Sequence, residues 1–180
     1  MEYEIDPEVL SGHPAEDQVR AVLLSKLRAG STDRESEEVA DLVALVEMLA
    51  LWRLGPAAEQ PGIPGTDQLY VLSFASATTS FVKVGRTSSF ATRLRQHRAM
   101  AERGDYVLFD ARVSELVADA YPWEQAVLRE LRRRHSGQRK GEFFYSLDYD
   151  EACSVVDQQR IRVIPRSVGL AVPNGGLRLT

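Results

Sequence analysis

Between residues 69 and 97 the chain reads LYVLSFASATTSFVKVGRTSSFATRLRQH, and inside that stretch the apolar period changes from two to about 3.6. Residues 68–74 and 80–84 are apolar and β-branched enough to be strands, and the Ser/Thr-rich residues 75–79 between them suit a hairpin loop. Gly85 marks a corner, after which Thr87 or Ser88 is placed to cap a helix that runs to Arg103 and stops at Gly104. A hairpin feeding directly into a helix restricts the chain to folds in which that helix packs back on its own two strands.

On a helical wheel Phe90, Leu94 and Ala101 fall together as the buried stripe. Arg93 and His97, one turn apart, lie at the edge of the stripe and face the hairpin. An arginine and a histidine at a helix–sheet seam can hold a phosphate. The alternative is an arginine that snorkels beside an apolar face and a partly buried, hydrogen-bonded histidine.

The 180 residues suit one α/β domain with a helical appendage, large enough to bury a core without staples. Cys153 is the only cysteine, which excludes a disulfide framework and a cysteine-rich zinc site. No basic leader with an apolar segment precedes the first predicted helix, and the longest apolar run, residues 39–54, is broken by Asp41, Glu47 and Arg53. The expectation is a cytoplasmic protein with no membrane partner. The formal net charge of −4 is unevenly spread: residues 1–66 hold 5 Lys/Arg against 13 Asp/Glu, residues 67–145 hold 13 against 9, and the rest balance. Overall acidity therefore does not exclude a nucleic acid, because the segment containing the hairpin and its helix is positive.

The first sixty residues read as an acidic helical hairpin. Pro14 stands at a first helical position, Val19, Val22, Leu23 and Leu27 mark one face, and Gly30 ends the segment. Thr32 with Glu35 is a capping-box pattern opening a second helix that reaches Gly55. That helix either packs on the main domain or meets another chain, as a homodimer or with a partner protein through residues 1–60. The Pro/Gly-rich residues 56–65 are the candidate boundary, residues 66–165 the main unit, and 166–180 a tail. Within the main unit the pattern predicts a strand over 106–113, a helical region over 114–135, a basic turn SGQRKG, a short strand over 142–147, a helix over 149–158 and a last strand over 161–164.

Glu124 stands out. A wheel centred on it places Val117, Ala120, Val127, Leu128 and Leu131 nearby, so the carboxylate lies inside an apolar stripe and needs a cation, a proton or a metal. Arg93 is the candidate partner across the sheet. Alternatively, Pro122 restarts the helix and puts Glu124 in its opening turn, where carboxylates commonly face unpaired amides.

Taken together, these residues resemble the GIY-YIG endonuclease superfamily, and most of all its phage-type DNA-binding branch. Gln68 to Tyr70 stand for the first signature and Lys83 to Gly85 for the second; Arg93, His97, Glu124 and the Glu142-Phe143-Phe144 string follow in family order. The resemblance spans about residues 67–147 and implies an α+β fold, a small antiparallel sheet of about three strands flanked by helices. It further implies phosphodiester hydrolysis with one divalent cation, Mg²⁺ or Mn²⁺, with Tyr70, Arg93, His97 and Glu124 as catalytic residues. Glu124 would be the metal ligand, Arg93 would stabilise transition-state charge, and Tyr70 would orient or deprotonate the attacking water. The sequence departs from the family at Lys83, where the second signature usually has tyrosine, and at Gln68, where the first usually has glycine. A non-catalytic DNA-binding module of the same fold is the alternative.

The expected partner is DNA, double-stranded first of all. Lys83, Arg86, Arg95, Arg98, Arg132, Arg133, Arg139 and Lys140 are the candidate backbone-gripping residues. A solvated helix end is the plain reading of the run at 132–134.

Overall fold

The computed structural model describes residues 14–29, 37–59, 61–136, 139–145 and 147–163. The capping-box pair Thr32 and Glu35, Gly30 and the tail lie outside them. The described elements are α1 (Pro14–Arg28), α2 (Glu37–Leu54), a 3₁₀ turn (Gly55–Ala58), β1 (Gln68–Ala75), β2 (Ser80–Thr87), α3 (Phe90–Glu102), β3 (Val107–Val113), α4 (Tyr121–Arg134), β4 (Arg139–Lys140), β5 (Phe143–Tyr145) and α5 (Tyr149–Val163). The strands form one antiparallel sheet in the order β3-β1-β2-β5-β4, three long strands extended by two short ones. The mixed α/β class and the small helix-flanked sheet read from the sequence are present.

Alternation along β1 sorts the core into two layers. Leu69 and Val71, with Val82 and Val84 of β2, face α4 and α5 and pack against Trp123, Val127, Leu131 and Val156. Tyr70, Leu72 and Phe74 face the other way, onto the predicted stripe of α3 (Phe90, Leu94, Ala101) and the end of α2 at Ala50 and Leu54. The Trp123 indole N–H donates to the Val156 carbonyl at 2.9 Å, which satisfies the one polar atom that this buried ring carries.

The helical pair belongs to the same core. Leu23, Leu27, Val39 and Val46 pack with Ala75, Val107 and Phe109 of the sheet. Arg20 lies 2.9 Å from both Glu16 and Asp110, and Arg53 reaches Asp110 at 2.7 Å and also Glu16, so charged residues tie both helices to β3. Of the two placements open for α2, packing on the main unit is the one observed. Among the described residues no helix is long and apolar enough to cross a membrane.

Several sequence expectations change. Residues 161–163 continue α5 and are not a strand, because the face carrying Val155, Val156 and Gln159 keeps the helical period to the end. The helical region predicted from residue 114 begins only at Tyr121: Val117 bridges to Asp67, and Pro122 fits the first turn, where it has no helical hydrogen bond to lose. The basic turn contains β4, whose Arg139 and Lys140 pair with Phe144 and Phe143. Ser89, not Thr87 or Ser88, is the residue preceding α3, although the Thr87 hydroxyl accepts from its backbone N–H at 3.1 Å. At the other end of α3, Asp105 takes the left-handed conformation (φ 59°), not Gly104.

Candidate functional site

Gly85 is not a corner. It sits inside β2 opposite Tyr70, and a Cβ there would lie 2.5 Å from the Tyr70 hydroxyl oxygen. The bare backbone of β2 is therefore the floor on which the Tyr70 ring lies, the usual reason for a glycine within a strand. Phe90 packs against the same ring at 5.9 Å between centroids, and the phenol meets His97 Nε2 at 3.0 Å. Arg93 Nε–H donates to the phenol oxygen at 3.4 Å, and the same phenol shares a hydrogen bond with His97 Nε2 whose direction follows the imidazole tautomer.

Burial is the main reason that the His97 pKa falls to about 4, with the charges of Lys83 and Arg93 adding to it. His97 is therefore neutral at neutral pH. Burial also raises the Tyr70 pKa, against the opposing effect of Arg93, so the phenol keeps its proton. Of the two roles implied for Tyr70, deprotonating a water does not fit this environment.

Lys83 lies two pairs further along the ladder, opposite Leu72 on the same face as Gly85, and is 3% exposed. Its ammonium pairs with Glu142 and stands 5.1 Å from the centre of the Phe143 ring. It is a buried charge beneath the site, not a surface contact for a DNA backbone. Glu142, which the sequence reading quoted only as part of a string, is central: its charge acts on Tyr70, His97 and Glu124 alike.

Glu124 combines both readings of its position. It lies in the opening turn of α4 and is also 6% exposed. Its partner is Arg86, not Arg93: Arg86 Nε lies 3.4 Å away, because Arg86 follows Gly85 on β2 and points to the α4 face, whereas Arg93 stands over the opposite one. Arg86 also binds Asp67 at 2.8 Å and lies over the Tyr121 ring at 5.2 Å. Burial and then Glu142 raise the Glu124 pKa; Arg86 and Lys83 oppose this without cancelling it. Negative charge at Glu124 is under-compensated, and a cation beside it would be stabilised.

Among the described residues no three His, Cys, Asp or Glu side chains cluster as a metal cage. A single hard carboxylate with a second in electrostatic reach still suits Mg²⁺, which keeps most of its waters and takes substrate oxygens in place of a full protein cage.

Residues 67–160, just over half of the 180-residue chain, match the T5orf172 domain. The chain belongs to the T5orf172 domain family. Neither a curated protein nor a solved structure gives a significant match.

The remaining basic residues of this T5orf172 protein are not equally available. Arg93 and Arg95 are exposed on α3, and Arg93 has no carboxylate partner among the described residues. Arg98 is held by Glu47 of α2 at 2.5 Å. Arg133 pairs with Glu130 at 2.7 Å on the exposed end of α4, and Arg132 is half-buried. The backbone of Arg139 and Lys140 runs along the sheet edge beside β5; their side chains lie outside the described set. Glu142 and Asp67 are the residues that sequence reasoning did not assign. Single acidic residues flanking a strand carry no periodic signal.

Proposed function

We propose that this T5orf172 protein is a divalent-metal-dependent DNA endonuclease of GIY-YIG type, hydrolysing phosphodiester bonds. The observation that carries the reading is Arg93: an exposed guanidinium without a carboxylate partner among the described residues, hydrogen-bonded to the buried Tyr70 phenol, which in turn meets His97. A guanidinium in that position matches two phosphoryl oxygens at once and stays charged through the reaction. Tyr70 and His97 hold Arg93 and fix a polar wall; with its proton retained and His97 neutral, the Tyr70 phenol orients water and does not deprotonate it. Glu124, within electrostatic reach of Glu142, is the residue that would hold Mg²⁺ or Mn²⁺, which when bound would supply Lewis acidity and neutralise phosphate charge. Lys83 pairs with Glu142 at the base of the site. Arg86, whose guanidinium spans Asp67 and Glu124, closes the side facing α4.

The test is nicking of supercoiled plasmid with Mg²⁺ or Mn²⁺. Arg93→Ala should lower the rate ~100-fold or more, the scale of one lost charge-stabilising donor. Glu124→Gln should abolish cleavage while DNA binding survives. Cleavage undiminished in both variants refutes the assignment.

One observation favours a second reading, a DNA-binding module without cleavage: Arg86 already lies beside Glu124 and partly meets its charge. That reading predicts salt-sensitive gel shifts, unaffected by chelator, from a protein that nicks nothing.

A further inference from the structure

Beside the site, between the C-terminal end of α3 and the β5 edge, lies a cavity of about 380 Å³ walled by aromatic rings. Phe81 forms its floor, backed by Phe74 at 5.1 Å in a stacked arrangement. Tyr106, Phe143 and Tyr145 stand edge-on around Phe81 at 4.9, 5.4 and 6.0 Å between centroids. Met100, 37% exposed, lies at the mouth with Gly141, where a side chain would meet nothing within 4 Å. These rings do more than fill the core. Tyr106, Phe143 and Tyr145 remain only partly buried, and an open apolar hollow with polar groups at its rim is a common binding surface.

Its surroundings say what that occupant carries. Phe143 lines the cavity and also lies against the Lys83 ammonium, so the hollow shares a wall with the candidate site. The exposed Arg93 is seven residues before Met100 on the same helix, ~10 Å along its axis, and the exposed Arg103 follows Met100. The Arg139–Lys140 strand runs directly into Gly141. An aromatic hollow on the helix that carries the exposed Arg93 and Arg103 suits a planar, uncharged ring borne on an anionic backbone.

We propose that this hollow takes one unpaired nucleobase of a DNA strand whose phosphate lies on Arg93. The protein then acts on DNA in which a base is already unstacked: a mismatch, an abasic partner or a single-stranded junction. Fully paired duplex is the poorer ligand, because its base must first be drawn out of the stack. The inference rests on the DNA reading above and adds the class of substrate.

The test uses full-length protein in chelator, so that nothing is cleaved, with short duplexes carrying 2-aminopurine either paired or opposite an abasic site. Anisotropy should show about 5- to 150-fold tighter binding of the unpaired probe, the range expected for one base stacked on aromatic rings. Its fluorescence should also fall on binding. Met100→Trp fills the hollow from its exposed mouth and Tyr145→Ala opens a wall; each should remove the preference while paired-duplex affinity stays unchanged. Equal affinity for both probes, or a preference that persists in a stably folded Met100→Trp, overturns the proposal and leaves DNA binding standing. No binding of either probe at low salt overturns the DNA reading with it. A dimer in sedimentation that Met100→Trp dissociates would assign the hollow to a second copy of the chain and overturn the nucleobase.

Discussion

Gly85→Ala is the most informative single change, because two effects of opposite sign meet at one carbon. In an ordinary strand, replacing glycine by alanine stabilises a fold by about 0.5–1 kcal/mol, since the unfolded chain loses freedom. Here the new methyl would stand 2.5 Å from the Tyr70 oxygen and 2.7 Å from its ring carbon Cζ. The ring has little room to yield: Tyr70 is 1% exposed, Phe90 packs against it, and its hydroxyl is bonded to His97. Overpacking of a buried site costs about 1–3 kcal/mol, and displacing the phenol gives up about 1 kcal/mol of hydrogen bond. The net expectation is a loss of about 1–3 kcal/mol, measured by urea unfolding at unchanged slope. In a Tyr70→Ala background the same change has no ring to meet and should stabilise by about 0.5–1 kcal/mol, a coupling of about 2–4 kcal/mol across the cycle. Additive behaviour, or stabilisation by Gly85→Ala with Tyr70 present, would refute the claim that β2 is bare in order to seat this ring.

His97 should impose a pH dependence. Its folded pKa near 4 lies below its ordinary 6.5, so the unfolded chain binds more protons between those values. The contribution is complete above about pH 6.5 and falls as pH drops toward 4, by about 3 kcal/mol in all; His97→Gln should remove that part of the slope in paired melts. At the Lys83–Glu142 pair the two partners should differ. Glu142→Gln leaves a buried ammonium without its counter-charge and should destabilise more than Lys83→Met, which frees a half-exposed carboxylate to water; similar losses would show the pair to be symmetric. Leu23→Ala, at a position with 0% exposure, should cost about 2–5 kcal/mol and lower a single melting transition that the sheet shares, because α1, α2 and β3 have one core. Two separate transitions would make residues 1–60 an independent unit.

The sequence alone determined whatever repeats at a fixed period. Strands β1 and β2, the stripe of α3 and the apolar face of α4 all followed from spacing, because a side chain's direction is set locally by the backbone that carries it. It also put forward Tyr70, Arg93, His97 and Glu124 as candidate site residues. Which of them touch was decided by strand pairing and by the face on which each helix lands. Opposing Tyr70 to Gly85 put the phenol under His97; the pleat then sent Lys83 to the α3 side and Arg86 to the α4 side, so Arg86 and not Arg93 reached Glu124. Glu142 and the ring-lined hollow were equally beyond local reading, since each draws together residues from β2, α3 and β5. Burial, and with it every shifted pKa, exists only once those elements have closed over one another, and no window of sequence contains that information.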